Sequence, residues 1–254
     1  MTRRRFYAPP EAFASDGASV VLGREEARHL RDVLRLGRGQ EVFVFDGEGR
    51  EFRCRVDESG RDGAVLGVGG EVEPASPESP LQLTLGVALL KGEKLDLVVQ
   101  KATELGVRRI VPVVTRLADV RLRKGVETSR RAERLRRIAL EACKQSGRAR
   151  VPVIDQPAAY ESFVTSAPAN AGEWRSLFAE RSGANLAGAI ETLRARPNSV
   201  TALVGSEGGW TDEEIALARD AGWSVVTLGG RILRAETAAI AITALLQHAF
   251  GDLT

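Results

Sequence analysis

Two glycine-marked turns in the last quarter of the chain carry side chains able to hold and act on a ligand. The first reads Gly205-Ser206-Glu207-Gly208-Gly209 and follows the apolar run 200–204. The second reads Leu228-Gly229-Gly230-Arg231-Ile232-Leu233-Arg234-Ala235-Glu236-Thr237 and follows the run from 224. Glycines let a ligand approach the backbone closely. A phosphate loop would end in Gly-Lys-Ser/Thr, but Trp210 follows Gly209, and Glu207 inside the turn would repel a phosphate. Neither turn has the G-x-G-x-x-G spacing of a dinucleotide site, which argues against a nicotinamide enzyme. The better match is a phosphate-free adenosine bearing a positive group, read by backbone N–H and C=O groups and a nearby carboxylate. S-adenosylmethionine meets both demands. Apolar Leu228, Ile232 and Leu233 can enclose an adenine face, and an arginine beside them can stabilise negative charge forming on a base. The plainer alternative makes Arg231 and Arg234 surface ion-pair partners, with Glu236 favouring a helix N-terminus.

The elements around the turns follow from pattern. Thr211-Asp212-Glu213-Glu214 reads as a capping box opening a helix after the first turn. Residues 81–90 form an apolar run with little alternation, as in a strand covered on both faces. Leu95, Val98, Val99, Ala102 and Leu105 recur at helical spacing, Gly106 closes that helix, and 110–114 is the next strand. A helix is expected over 129–144, short strands at 151–154, 176–179, 200–204 and 224–228, and a last helix over 236–250. Alternating β and α implies a mostly parallel sheet. The last helix is apolar nearly all round, so it is buried either inside the domain or against a second copy.

Ahead of this lies a smaller β-rich part. Residues 41–45 meet Asp46-Gly47, a hairpin signal, and 51–56 alternate polar and apolar. A further strand is expected at 64–68 and one helix at 25–36, which together suggest a small barrel. The stretch Pro74-Ala75-Ser76-Pro77-Glu78-Ser79-Pro80 reads as a stiff linker. The expected division is therefore 1–73, a linker over 74–80, and 81–254.

The 254 residues carry 36 Lys/Arg and 34 Asp/Glu, a net charge of +2. Its distribution is uneven: residues 116–150 hold twelve basic and four acidic side chains, so this block faces either an anion or solvent. Cys54 and Cys143 are far apart and have no zinc-like spacing, so each is expected to be a buried thiol and no metal is expected. No apolar run is long enough for a membrane span and the start has no signal-peptide stretch, so the expected location is cytoplasmic.

The motif Gly205-x-Glu207-Gly208-Gly209 with Leu228-Gly229-x-Arg231-Ile232-Leu233-Arg234-x-Glu236-Thr237-Ala238 resembles the bacterial 16S ribosomal RNA (uracil-N3)-methyltransferase family, of the SPOUT class. Further similarity lies in His29-Leu30-x-x-Val33-Leu34-Arg35, in Lys101-Ala102-Thr103-Glu104-Leu105-Gly106-Val107 and in Glu141-Ala142-Cys143-Lys144-Gln145-Ser146-Gly147-Arg148, so the resemblance spans nearly the whole chain. Ser206 and Gly230 stand where the family generally has proline, Leu117 where it has a small polar residue, and Lys144 where it has glutamate.

The resemblance implies an α/β trefoil-knot domain preceded by a PUA-like β-barrel that helps hold RNA. It implies S-adenosylmethionine as cofactor, a homodimer through the C-terminal domain, and 16S rRNA of the small subunit as partner, methylated at N3 of one uridine. The cofactor residues expected are Leu203, Val204, Gly205, Glu207, Gly208 and Gly209 from the first turn, and Leu228, Gly229, Arg231, Ile232, Leu233, Thr237 and Ala238 from the second. Arg234 is expected to stabilise charge on a uracil oxygen, and Glu207 or Glu236 to accept the N3 proton or hold the cofactor. Arg3, Arg5, Arg35, Arg116 and Arg148 are the expected RNA contacts. Phe6 and Tyr7 either stack on a base or pack inside the barrel; His29 touches RNA or caps its helix; His248 is structural. Two other functions remain open: a SPOUT ribose 2′-O-methyltransferase, and an RNA-binding assembly factor without catalysis.

Overall fold

The computed structural model describes residues 3–118, 126–166 and 172–253. The chain forms two compact units, Met1–Glu78 with Leu140–Val151, and Ser79–Ala139 with Pro152–Thr254.

The first unit is built on a curled five-stranded sheet, a half-barrel of the expected PUA-like kind. Its strands are β1 (Arg5–Tyr7), β2 (Ser19–Leu22), β3 (Glu41–Phe45), β4 (Glu51–Ser59) and β5 (Ala64–Val72), in the order β1-β3-β4-β5-β2. β4 alternates as its sequence requires: Cys54 and Val56 are fully buried, while Arg53 and Arg55 face water. Asp46 makes the β3–β4 turn by accepting the backbone N–H groups of Glu48 (2.8 Å) and Arg50 (3.1 Å). The expected long helix is instead a short α1 (Arg24–Arg28) running into a π-helical turn, His29–Val33. Arg35 ends it with φ 53°, doing in the left-handed region what glycine usually does. β1 and β2 carry too few residues to show a period, yet Phe6, Val20 and Leu22 are fully buried. Phe6 is thus a core side chain, and Tyr7 packs on Phe45 with ring centroids 5.5 Å apart.

The second unit carries a parallel sheet. Its strands are β6 (Gln82–Ala88), β7 (Arg109–Val114), β8 (Val153–Ile154), β9 (Ala158–Ala159), β10 (Glu173–Phe178), β11 (Ala184–Asn185), β12 (Ser199–Val204) and β13 (Ser224–Thr227). The order is β11-β13-β10-β12-β6-β7-β8, with β9 also on β7. Both faces of β6 are covered, which explains its lack of alternation. The helices are α2 (Lys94–Glu104), α3 (Val126–Ser146), α4 (Tyr160–Val164), α5 (Leu186–Glu191), α6 (Asp212–Asp220) and α7 (Ala235–Phe250). α3 continues into the first unit from Leu140. After β13 the chain returns past β10 to pack α7 against β12 and α2, the course that the knotted fold requires. α7 buries Ala239, Ile242, Leu246 and Phe250 on one side and leaves Leu245 exposed on the other.

Candidate active site

Three neighbouring parallel strands, β13, β10 and β12, end on the same edge of the sheet, where ligands of open α/β sheets bind. The first glycine turn follows β12. The capping box forms as its sequence reads: Thr211 Oγ1 accepts Glu214 N–H (3.2 Å), and Glu214 Oε2 accepts Thr211 N–H (3.0 Å). Glu214 Oε1 accepts Arg116 N–H at 3.0 Å, so one buried carboxylate pins both α6 and the 116–118 stretch. Trp210 Nε1 donates to Phe178 O (2.8 Å) and ties the turn to β10. A Cβ on Gly208 would lie 2.8 Å from Leu117 Cβ, so only glycine fits there. Ser206 Oγ donates to Leu117 O at 3.2 Å. Two of the departures from the family pattern therefore meet in a bond that proline at 206 would not make.

The second turn follows β13. Thr227 Oγ1 accepts Gly229 N–H (3.2 Å), and Gly229 and Gly230 adopt φ of 69° and 71°, a conformation closed to proline. The two turns and the end of β10 enclose a pocket with about 580 Å³ of open space. From the first turn it is lined by the predicted Val204, Gly205 and Gly209; from the second by Leu228, Gly229, Arg231, Ile232 and Leu233; from α7 by Ala238.

Four expected cofactor residues fall outside this lining. Leu203 is fully buried and packs with Val111 and Leu177, because it precedes Val204 on a strand and points to the opposite face. Gly208 faces Leu117, Thr237 is exposed on α7, and Glu207 turns toward Lys94. Conversely, Phe178, Ala179 and Glu180 of the β10 end line the pocket, as do Ser206, Trp210, Thr227 and Ile242. The β10 contribution had no local signal, since the strand's place between β12 and β13 is set by the crossover. The lining joins apolar walls to backbone groups, the Glu180 carboxylate and Arg231, a set that can hold an adenosine with a positive substituent against the carboxylate.

Lys94, which had no signal in the sequence, begins α2 and organises the charges beside the pocket. Its Nζ lies 2.5 Å from Glu207 Oε1 and 3.9 Å from Glu236 Oε2. The hydrogen bond to Glu207 raises the lysine's pKa, helped by both carboxylates and opposed by Arg234. The side chains of Glu207, Glu236 and Arg234, expected to act together, thus gather around this lysine.

The arginines divide. Arg5 is a structural residue: its guanidinium is 5% exposed, makes two bonds to the fully buried Glu51 (3.0 and 3.2 Å), and donates to the carbonyls of Cys143 and Arg148. Arg148 is also buried and paired with Glu78 at 2.7 Å. These placements turn both guanidinium groups inward, away from any RNA surface. Arg3 is partly exposed, pairs with Glu51 (3.2 Å) and lies over the Phe43 ring. Arg35 and Arg116 are exposed, the latter 3.7 Å from Glu213. Lys144 pairs with Glu26 and Glu141, which accounts for a lysine in place of glutamate. His29 is exposed with its ring edge-on to Phe6 at 6.0 Å, and His248 Nδ1 lies 2.8 Å from Leu253 O. Part of the basic block, residues 119–125, lies outside the described residues.

Residues 77–247 match the model of an RNA methyltransferase domain, and 22–68 match that of an RNA methyltransferase PUA domain. The ribosomal RNA small subunit methyltransferase E of Synechocystis is 34% identical over 87% of this chain and 70% of its own length. The chain belongs to the ribosomal RNA small subunit methyltransferase E family. A member of that family from Neisseria gonorrhoeae, solved bound to S-adenosyl methionine, superposes with a TM-score of 0.87 at 32% identity, covering all of both chains. A Legionella pneumophila methyltransferase structure holding its cofactor SAM gives 0.88 at 31% identity, again over all of both chains. Membership makes this chain an rRNA methyltransferase.

Proposed function

We propose that the protein transfers a methyl group from S-adenosylmethionine to N3 of a uridine in 16S rRNA of the small ribosomal subunit. The observation that carries this reading is a pocket with apolar walls, exposed backbone groups, the Glu180 carboxylate and Arg231, flanked by a cluster of two glutamates, a lysine and an arginine. Leu228, Ile232 and Leu233 would enclose the adenine, and the backbone of 204–206 and 228–229 would read its edge. When bound, the cofactor supplies an electrophilic methyl group. The chain's own work is to exclude water, hold the uracil in line and manage the N3 proton. Arg234 stabilises the charge that develops on a uracil oxygen, and Glu207 and Glu236 are the carboxylates available to the proton.

Residues 1–78 with 140–151 hold RNA, and 79–139 with 152–254 perform transfer. Arg3, Arg35 and Arg116 are the RNA-facing cations, and their contribution falls steeply with salt. α7, with Leu245 42% exposed beside α2 with Leu97 40% exposed, offers an apolar face that suits a second copy of the chain. The protein works in the cytoplasm, where the subunit is. Calorimetry with S-adenosylmethionine tests the reading: one site per chain with a micromolar-range Kd is expected. No binding at millimolar cofactor would instead favour an assembly factor without catalysis.

A further inference from the structure

Glu236 Oε2 is buried and makes no hydrogen bond, although its side chain is only 12% exposed. Lys94 is its nearest cation, but at 3.9 Å it is an ion-pair partner beyond hydrogen-bonding distance. An acceptor in that state costs free energy unless a hydrogen reaches it. The lysine spends its short bond on Glu207, at 2.5 Å. Thus the two carboxylates that the sequence leaves equivalent are not equivalent: Glu207 is held by Lys94, and Glu236 keeps an open acceptor. The position also fits. Ala238, two residues on in the same helical turn, lines the pocket between the glycine turns, while Glu236 itself lines a second, wider opening of about 900 Å³ with Glu93, Lys94, Asp96, Leu97 and Gln100. Glu236 therefore lines this opening two residues before Ala238, which lines the pocket between the glycine turns.

We propose that Glu236, through Oε2, is the catalytic acceptor of the uracil N3 proton, and that Lys94 is a positioning residue that clamps Glu207 of the first turn and steers Glu236 at the start of α7. The inference rests on the methyl-transfer reading above. The N3–H bond breaks, its proton passes to Glu236, and its electron pair remains on N3 to bond the methyl carbon, whose bond to the bound cofactor's sulfonium sulfur would break with that pair returning to sulfur. The charged groups facing Glu236 are Lys94 and, around the same opening, Glu93 and Asp96 from α2, Glu207 from the first turn, and Arg234 on its own segment.

The test is single-turnover methylation of small-subunit RNA across about pH 7 to pH 9, with calorimetry of S-adenosylmethionine on the same proteins. Glu236→Gln is expected to slow transfer by about 100-fold at neutral pH. Its residual rate should climb about tenfold per pH unit, as hydroxide replaces the lost base, while the wild-type rate stays nearly flat. Cofactor affinity should stay within about threefold, since the lesion is in proton transfer and not in ground-state binding. Lys94→Ala should lower the rate with unchanged cofactor affinity, and Lys94→Arg should restore part of it. A Glu236→Gln profile parallel to wild type, or a Lys94→Ala rate equal to wild type, would overturn the proposal. Failure of the wild-type protein to methylate small-subunit RNA would instead overturn the underlying reading.

Discussion

Arg234 occupies the N-cap position of α7 in an extended conformation (φ −62°, ψ 150°) and makes no side-chain cap. Its guanidinium is exposed and close enough to Lys94 to oppose its charge, so it is available to a substrate oxygen at the mouth of the site. Arg234→Ala should reduce single-turnover transfer by about 100-fold or more, the scale of losing one preorganised donor. Calorimetry should find cofactor affinity nearly unchanged, and a wild-type rate in this variant would remove Arg234 from the mechanism. The same residue type misleads elsewhere. Arg5 and Arg148 look as suited to RNA as Arg234, but their carboxylate partners, Glu51 and Glu78, are 46 and 70 residues away in the chain. Nothing local distinguishes a guanidinium facing a ligand from one buried against a distant glutamate. Lys94 was illegible for the same reason, since its partners come from the two later turns.

At the scale of elements, the second turn depends on two consecutive residues in the left-handed region. Gly229 has φ 69° and lies in the pocket wall with nothing within 4 Å of an added Cβ. Gly229→Ala therefore meets no clash, and its cost is conformational, about 1–2 kcal/mol. We expect an unfolding free energy lower by that amount and weaker cofactor binding, read by chemical unfolding and calorimetry. An unchanged affinity would mean that the turn does not shape the site. Elements with a strong local code were legible. The Thr211–Glu214 capping box forms with both of its bonds, and the Leu95–Ala102 stripe is the buried face of α2. Short strands were not: β2 and β11 have four and two residues, and gain their hydrogen bonds only once β5 and β13 are in place. The expected helix over 25–36 breaks into α1 and a π turn because Ala27, Leu30 and Leu36 must all reach one core, and Leu36 N–H returns to Leu30 O.

Across the whole molecule, the two thiols report on folding. Burial pushes both Cys54 and Cys143 up to about 12. An unfolded chain ionises them near ~8.5. The folded state then holds more protons above that pH. This contribution to stability is complete below pH ~8.5 and is lost as pH rises toward the folded value. Iodoacetamide at about pH 8 should leave both cysteines unlabelled in the native protein and modify both in denaturant. Labelling of the native protein would contradict the packing described for the first unit. The mostly parallel α/β character of the second unit was readable from its alternating pattern. Its strand order was not, since β10 lies between β12 and β13 only through crossovers that leave no mark in the sequence. Nor does any local pattern show that residues 140–151, after most of α3, belong to the N-terminal unit. The most direct test of the account is mass spectrometry of small-subunit rRNA from a strain lacking this gene, before and after incubation with the purified protein and S-adenosylmethionine. The account predicts that one N3-methyluridine is missing from the strain and is restored by the protein. Methyl groups gained on ribose 2′-oxygens, or no methylation of that RNA at all, would contradict it.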